Sequence, residues 1–242
     1  MNNHQPNIWV FTGAGLSAPS GIHTFRDPHG LWQNYDIDQV CNYSTWKRNG
    51  VAVHELFNML REKLPAYQPN AAHHKLASWK KQYGKHCEIF TQNVDDLLNR
   101  AGCEQFVQLH GDLLKQHCTQ CDHKWTVGYA SWTYGVDACV RCASKKGVKP
   151  AVVMFHEHAP EYMTLTHSMK NITHNTLMIV IGTSGMVVDI NSMIFDKPGK
   201  KILNNLESSP DINSDYFDHV FYESAHIACD KIDQLVKDHM KY

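Results

Sequence analysis

Short, largely apolar runs that end in polar or glycine-containing segments recur along the chain. They cover residues 8–11, 88–90, 151–155, 177–181 and 201–203. Continuous apolar runs of this kind are typical of strands that are buried on both faces of a parallel sheet. We therefore predict a parallel sheet in which the loops after these strands gather at one edge.

Apolar residues also recur at helical spacing between the predicted strands. Residues 53–64 carry them at intervals of three and four positions, and residues 232–240 repeat the pattern near the end of the sequence. Each helix would then cover the sheet with one apolar face. Strands that alternate with helices predict an α/β fold, a Rossmann-like parallel sheet with helices on both faces.

Two stretches do not fit this alternation, since one has no clear strand and the other holds four closely spaced cysteines. We expect both to form a smaller lobe, as a helical insertion at 33–85 and a zinc ribbon at 117–149. The discontinuous Rossmann-like domain would then comprise residues 1–32, 86–116 and 150–242. Because parallel sheets bind ligands beyond the carboxyl ends of their strands, we expect a cleft between this lobe and the strand-end loops.

The composition narrows the class of protein. The chain has 242 residues, of which 43% are hydrophobic and 19% are charged, and its formal net charge is -1. These values exclude a disordered chain and provide no overall attraction to nucleic acid. No run approaches the roughly 20 apolar residues of a membrane helix, and the first residues do not resemble a secretory signal. We expect a cytoplasmic protein whose partners include neither membranes nor nucleic acid.

Four of the eight cysteines have the spacing of a metal site. Cys118-x-x-Cys121 and Cys139-x-x-Cys142 are separated by 17 residues, within the range of two zinc-binding knuckles. Four thiolates complete a tetrahedral zinc site and leave no coordination position for a substrate. The spacing therefore predicts one structural Zn²⁺ that holds a segment with few apolar residues.

The strand-end segments carry candidate chemistry, although each has a plainer interpretation. Residues 13–18 read GAGLSA and match a dinucleotide-binding pattern in which glycines let the backbone approach a pyrophosphate at a helix N-terminus. A simple strand-to-helix turn would look the same. Residues 91–96, TQNVDD, could bind a ligand or cap a helix. His110 could act as a general base or be a structural histidine.

In combination, these motifs resemble the sirtuin family of NAD-dependent protein deacylases, and most closely its bacterial members of the CobB type. The order of the blocks, rather than any one of them, carries the resemblance, which runs from about residue 8 to the C-terminal helix. The matching blocks are GAGLS at 13–17, TFR at 24–26, QPNAAH at 68–73, TQNVD at 91–95, HG at 110–111, the paired Cys-x-x-Cys, GTS at 182–184 and NLE at 205–207.

The resemblance implies that NAD and an acyl-lysine protein or peptide meet in the cleft. The acyl group would be transferred to ADP-ribose with release of nicotinamide. His110 would be the general base on the ribose hydroxyls, and Asn93 would be the second catalytic residue. The residues that match the family's cofactor site are Gly13, Ala14, Gly15, Ser17, Phe25, Arg26, Trp32, Gln92, Asn93, Asp95, Gly182, Thr183, Ser184, Asn205, Leu206, Glu207 and Ala225.

The region expected to hold the peptide departs from the family pattern. His156 replaces the glycine of the Phe-Gly-Glu loop found in bacterial relatives. Relatives that prefer succinyl or malonyl lysine carry a Tyr and an Arg where this chain has Phe57 and Leu60, and Arg61 is one step off. A neutral acyl group such as acetyl is therefore expected. The candidate substrate-binding residues are Phe57, Leu60, Val153, Phe155, His156, Glu157, Met186 and Val187.

Two other functions remain open from the sequence. The altered peptide loops would also suit a sirtuin-like NAD glycohydrolase that releases nicotinamide without a peptide. A non-catalytic module that binds partners through the zinc ribbon would need a basic face, and lysines and arginines of this segment supply only a modest one.

Overall fold

The computed structural model describes residues 5–23 and 36–241, and these residues form two sheets with helices packed around them. The strands are β1 (Asn7–Thr12), β2 (Cys87–Thr91), β3 (Val107–Gln108), β4 (Gly111–Cys118), β5 (Lys124–Thr126), β6 (Val148–Val152), β7 (Thr176–Ile181), β8 (Lys200–Asn205) and β9 (His219–Tyr222). The helices are α1 (Ile37–Val40), α2 (Gly50–Lys63), α3 (Ala71–Tyr83), α4 (Leu97–Arg100), α5 (Glu161–Met169), α6 (Ile190–Ile194) and α7 (Ala225–Met240).

The larger sheet has six strands in the order β3-β2-β1-β7-β8-β9, and all of its pairings are parallel. Its central strand β7 is buried along its whole length, as the continuous apolar run predicted. One face packs on α3 and α7 through a core that includes Ile179, Trp79 and Ile232. The other face packs on α5 and α6 through Trp9, Leu165 and Ile194. The predicted α/β fold with a Rossmann-like parallel sheet is therefore confirmed.

The smaller sheet is antiparallel and has the order β5-β4-β6. Its strand β6 contains the first two residues of the apolar run at 151–155, and the rest of the run follows the strand. The sequence pattern assigned this run to the parallel sheet, and that assignment is wrong. An apolar run indicates that a strand is buried but not which strand it pairs with. The small sheet extends beyond 117–149 into β4 and β6, and the division of the chain into domains stays a prediction.

Helix α2 packs against the small sheet and connects it to the predicted helical insertion. Its apolar face packs with Val40, Trp46 and Leu113 in a cluster under β4 and β6. Two of its polar side chains are also fully buried. His54 contacts the Val148 carbonyl through Nε2 at 3.0 Å, and Arg61 donates to the backbone carbonyls of Ala130 and Leu113.

The segment after β1 differs from the expected strand-to-helix turn. Within the described residues, β1 is followed by two single turns of 3-10 helix, Ala14–Leu16 and Ala18–Ser20, and not by an α-helix. Pro19 lies inside the second turn, and Gly21 ends it with a φ of 94°. Because proline fits a first helical turn and a glycine with positive φ ends one, the local sequence favours short turns here.

None of the helices in the described part of the chain combines the length and the apolar character that a membrane crossing requires.

Candidate functional site

The loops after β1 and β7 contact each other directly through their backbones. Gly15 donates its backbone N–H to the Gly182 carbonyl at 2.8 Å, and Gly13 donates to Ile181 at 2.9 Å. A Cβ on Gly15 would lie 2.6 Å from the Gly182 Cα, a distance that no real contact tolerates. Gly182 also has a φ of 63°, which favours glycine. Both glycines are therefore required for two strand-end loops to meet at the carboxyl edge of the large sheet.

Ser17 is the centre of a hydrogen-bond network behind these loops. Its buried hydroxyl donates to the Asp95 carboxylate at 2.8 Å and accepts from the Asn93 amide at 2.9 Å. The His73 Nε2 lies 3.3 Å from the same oxygen. Since the His73 Nδ1 accepts from the backbone N–H of Asn70, Nε2 carries the ring proton and donates to Ser17.

Burial sets the charge state of this network. It lowers the pKa of His73 to about 4, so that the ring is neutral at neutral pH. Burial also raises the pKa of Asp95, while the Leu97 backbone N–H and the Ser17 hydroxyl oppose that rise by bonding to the carboxylate. The network therefore holds Asn93 at the sheet edge through Ser17, which is itself fixed by His73 and Asp95.

Gln92 and Asn205 connect the loop after β2 to the loops after β7 and β8. The Gln92 amide donates to the Thr183 hydroxyl at 3.0 Å, and the Asn205 amide donates to the Thr183 carbonyl at 2.8 Å. The Asn205 Oδ1 is buried and has no hydrogen-bond partner among residues 5–23 and 36–241. Buried amide oxygens normally have a partner. A polar ligand group bound at this edge would supply one.

His110 lies between β3 and β4, where the two sheets meet. Its Nδ1 is 3.0 Å from the Gln92 carbonyl, and its Nε2 is 2.8 Å from the Tyr162 hydroxyl of α5. Because a carbonyl can only accept, Nδ1 carries the proton and Nε2 has the free electron pair. Burial lowers the pKa of His110, partly offset by the bond to Gln92. The imidazole is thus held neutral, in the form that can accept a proton.

The loop after β6 is fixed by a buried ion pair. The Lys149 ammonium lies 2.9 Å from the Glu157 carboxylate, which also accepts from the Met154 backbone N–H at 2.8 Å. Burial lowers the pKa of Lys149, and the negative charge of Glu157 opposes that shift. Phe155 donates its backbone N–H to the Cys41 carbonyl, which attaches the loop to the helical insertion. His156, which lies between Phe155 and Glu157, has a φ of 63°.

The four clustered cysteines converge as their spacing predicted. Their sulfur atoms all lie within 4.8 Å of one another. Each Cys-x-x-Cys turn is closed in the same way, by a hydrogen bond from the first cysteine's N–H to the carbonyl five residues later, His123 or Ser144. Thiolates at these separations match the edges of a tetrahedron with metal–sulfur bonds of about 2.3 Å. The donor set therefore fits Zn²⁺.

Comparison with known proteins gives the family. A sequence model of the Sir2 family matches residues 13–189. An NAD-dependent protein deacylase of Helicobacter hepaticus is 41% identical over 95% of this chain and 97% of its own length. The chain belongs to the Sir2 family. A Sir2 homologue variant in complex with ADP-ribose superposes with a TM-score of 0.84 and 28% identity, covering 100% of this chain and 98% of that one.

A second solved Sir2 structure contains a peptide. This Sir2 variant is bound to a deacetylated p53 peptide and 3'-O-acetyl ADP-ribose. It has a TM-score of 0.74 and 25% identity, and the match covers 96% of this chain and 94% of that one.

The residues proposed for cofactor binding in this Sir2 chain fall into four groups. Gly13, Gly15, Ser17, Gln92, Asn93, Asp95, Gly182, Thr183 and Asn205 form the connected edge described above. Leu206 and Glu207 are exposed just beyond β8, and Ala225 is buried at the start of α7. Ala14 and Ser184 lie within the two contacting loops, close to their glycines. Phe25, Arg26 and Trp32 lie outside the described residues.

The residues proposed for substrate binding are divided among three places. Val153, Phe155, His156 and Glu157 follow β6, and Met186 and Val187 are exposed in the loop after β7. Phe57 is buried in the same cluster as Met154, with Leu60 packed against it. These two residues of α2 thus belong to the core that also holds Met154 of the loop after β6.

Two site residues were not among the sequence-based candidates for the Sir2 centre. His73 was only part of a matching block, although its bond to Ser17 places it in the network. Tyr162 has no motif around it, because its contact with His110 joins positions 52 residues apart. Only the fold brings α5 beside that histidine.

Proposed function

We propose that the chain is an NAD-dependent protein-lysine deacylase that transfers the acyl group to ADP-ribose and releases nicotinamide. The observation that carries this proposal is the neutral His110, whose Nδ1 donates to the Gln92 carbonyl in the loop that contains Asn93 and whose Nε2 carries no proton of its own. A partly buried neutral imidazole at a ligand-binding sheet edge is suited to act as a general base.

The chemistry would proceed in two stages. In the first, the acyl oxygen of the substrate lysine attacks C1' of the nicotinamide ribose, and the bond from C1' to nicotinamide breaks as nicotinamide leaves. In the second, a ribose hydroxyl gives up its proton to the His110 base, and the 2'-oxygen attacks the acyl carbon. The amine then leaves as free lysine, water adds to the acyl carbon, and the bond between that carbon and the C1'-linked oxygen breaks to give 2'-O-acyl-ADP-ribose.

Asn93, Gln92 and Asp95 would order the ribose and the nicotinamide amide. Their support comes from within the protein, because Ser17 holds Asn93 and Asp95 while Thr183 holds Gln92. Positional catalysis of this kind is sensitive to small displacements of the bound groups. The connected network is consistent with that requirement.

The acyl group that we propose is neutral, most simply acetyl. Phe57 and Leu60 supply no charge, and the nearby Arg61 is fully buried and already bonded to two backbone carbonyls and to the Asn58 side chain. A carboxylated acyl chain would need an available guanidinium. The proposed partner is therefore an acetyl-lysine protein or peptide in the cytoplasm, and the proposed Zn²⁺ has a structural role.

The test is a nicotinamide-release assay with NAD and an acetyl-lysine peptide, in parallel with a reaction without peptide. We expect release that depends on the peptide, together with equal amounts of deacetylated peptide and acetyl-ADP-ribose. His110→Ala should abolish product formation. Release of nicotinamide at the same rate without peptide would instead identify an NAD glycohydrolase and would contradict the proposal.

A further inference from the structure

Tyr162 occupies the only free electron pair of the catalytic base. The Tyr162 hydroxyl lies 2.8 Å from the His110 Nε2, and Nδ1 is protonated because it faces the Gln92 carbonyl. The phenol must therefore be the donor in the bond to Nε2. A ribose hydroxyl cannot donate to the same electron pair while this bond exists.

The position of Tyr162 is fixed by the fold. It lies in the first turn of α5 and packs against the core under the large sheet, where Leu165 and Met169 of the same helix are buried. Ser168, also on α5, accepts from the Trp9 indole at 3.1 Å and bonds to the Glu88 carboxylate. These bonds attach α5 to the neighbouring strands β1 and β2, and the phenol lies against the imidazole with ring centroids 5.9 Å apart.

We propose that Tyr162 is a proton relay for His110, a further catalytic residue that accepts the ribose proton and passes its own proton to the imidazole. The proposal rests on the proposed function, because it assigns a path to the proton that His110 takes up. A phenol can accept one hydrogen bond while donating another, so it can stand between a ribose hydroxyl and Nε2.

The transfer balances without a charged phenol. The bond between the ribose oxygen and its hydrogen breaks as a new bond forms to the Tyr162 oxygen, and the original phenol proton moves to Nε2. The imidazole becomes cationic, the ribose oxygen becomes the nucleophile, and Tyr162 ends as it began. Burial raises the pKa of Tyr162, which disfavours a free phenolate and is consistent with a concerted transfer.

The other titratable side chains near the His110 imidazole offer no competing proton path. Tyr162 is the titratable side chain recorded in contact with the imidazole among the described residues. On the neighbouring segments, the Asp95 carboxylate bonds to Ser17, and the Glu157 carboxylate bonds to Lys149. Both carboxylates therefore have partners of their own.

The test is Tyr162→Phe, which keeps the ring and removes the hydroxyl. Two reactions are measured on the purified full chain: deacetylation of an acetyl-lysine peptide, and exchange of labelled nicotinamide into NAD in the presence of that peptide. Exchange reports the first stage, in which no proton passes to His110. We expect deacetylation kcat to fall at least about tenfold, within the range of general-base effects, while exchange stays within about twofold of the wild-type rate.

Tyr216→Phe is the matched control, because Tyr216 packs against the same core and lies outside the proposed site. It should leave both reactions unchanged. Three results for Tyr162→Phe would overturn the proposal. They are unchanged deacetylation, a parallel loss of deacetylation and exchange, and faster deacetylation, which would show that the phenol only competes with the ribose. A wild-type protein inactive in both assays would instead refute the proposed function itself.

Discussion

Ser17 is the residue on which three polar side chains of the site converge. Its hydroxyl bonds to Asp95 and Asn93, and it is the partner of the His73 Nε2. We predict that Ser17→Ala weakens NAD binding at least about tenfold and lowers the free energy of unfolding by about 1–3 kcal/mol, because buried groups lose their partner. Calorimetric NAD titration and urea unfolding measure the two effects.

The control for this prediction is Ser131→Ala, at an exposed position of the ribbon. It should leave both quantities at their wild-type values. Wild-type NAD affinity in Ser17→Ala would show that Asn93 and Asp95 keep their positions without this serine.

His156, which departs from the Phe-Gly-Glu pattern, has a backbone conformation that lowers the stability of the folded state. Its φ of 63° is unfavourable for a side chain with a Cβ and especially for a β-branched one. We predict that His156→Val lowers the free energy of unfolding by about 1 kcal/mol or more, while His156→Gly is neutral or stabilising. Urea denaturation of the three proteins measures this, and equal stability of the Gly and Val variants would contradict the explanation.

At the scale of single elements, His54 attaches α2 to β6. Its Nε2 bonds to the Val148 carbonyl, and burial lowers its pKa to about 4. In the unfolded chain a histidine titrates near 6.5. The unfolded state therefore binds more protons between these values, so the contribution of His54 is complete above pH 6.5 and is lost as the pH falls toward 4.

We predict that this residue accounts for about 2–3 kcal/mol of the stability lost between pH 7 and pH 4.5. In His54→Gln, which keeps a hydrogen-bond donor, the loss over that range should be smaller by this amount. Urea unfolding at the two pH values measures it, and His158→Gln, on the surface, is the control. An equal loss in wild type and His54→Gln would contradict the assignment.

The zinc ribbon has the smallest of the four apolar clusters in the described structure. Besides the cysteines, its fully buried apolar residues are Trp132 and Val148. Metal coordination must therefore supply much of its folding energy. We predict one zinc per chain by elemental analysis, and in Cys142→Ser a loss of zinc with new protease cleavage confined to residues 119–147. Cleavage within the six-stranded sheet, or unchanged zinc content, would contradict this.

The elements also show how far sequence patterns reach. Strands β1, β2, β7 and β8 were predictable because both of their faces are buried, which requires continuous apolar runs. The edge strand β9 was not, since its ends are exposed and its pattern is mixed. The partner of β6 could not be predicted, because pairing depends on residues distant in the sequence.

At the scale of the whole molecule, the site also divides into features that follow from local sequence and features that depend on distant residues. The cysteine ligands and the glycine loops have local spacing and were found from it. The contact between His110 and Tyr162, and the burial that keeps His73 neutral, arise only when α5 and α3 pack against the large sheet. Site residues that lie in short motifs were therefore predictable from the sequence. Contacts that depend on packing between distant elements were not.

The proposed acyl preference belongs to the scale of the whole molecule, because the residues that would set it come from α2, from β4 and from the loop after β6. Phe57 shares a core cluster with Leu113 of β4 and with Met154 of the loop after β6. Arg61 donates hydrogen bonds to two backbone carbonyls. A succinyl carboxylate would have to lose its hydration there without a cationic partner. We predict at least about tenfold higher kcat/KM for acetyl than for succinyl peptides, and a smaller ratio in Leu60→Arg, where a guanidinium could pair with the carboxylate. Steady-state assays with matched peptides measure both ratios, Leu60→Met serves as the uncharged control, and a wild-type preference for succinyl would contradict the neutral pocket.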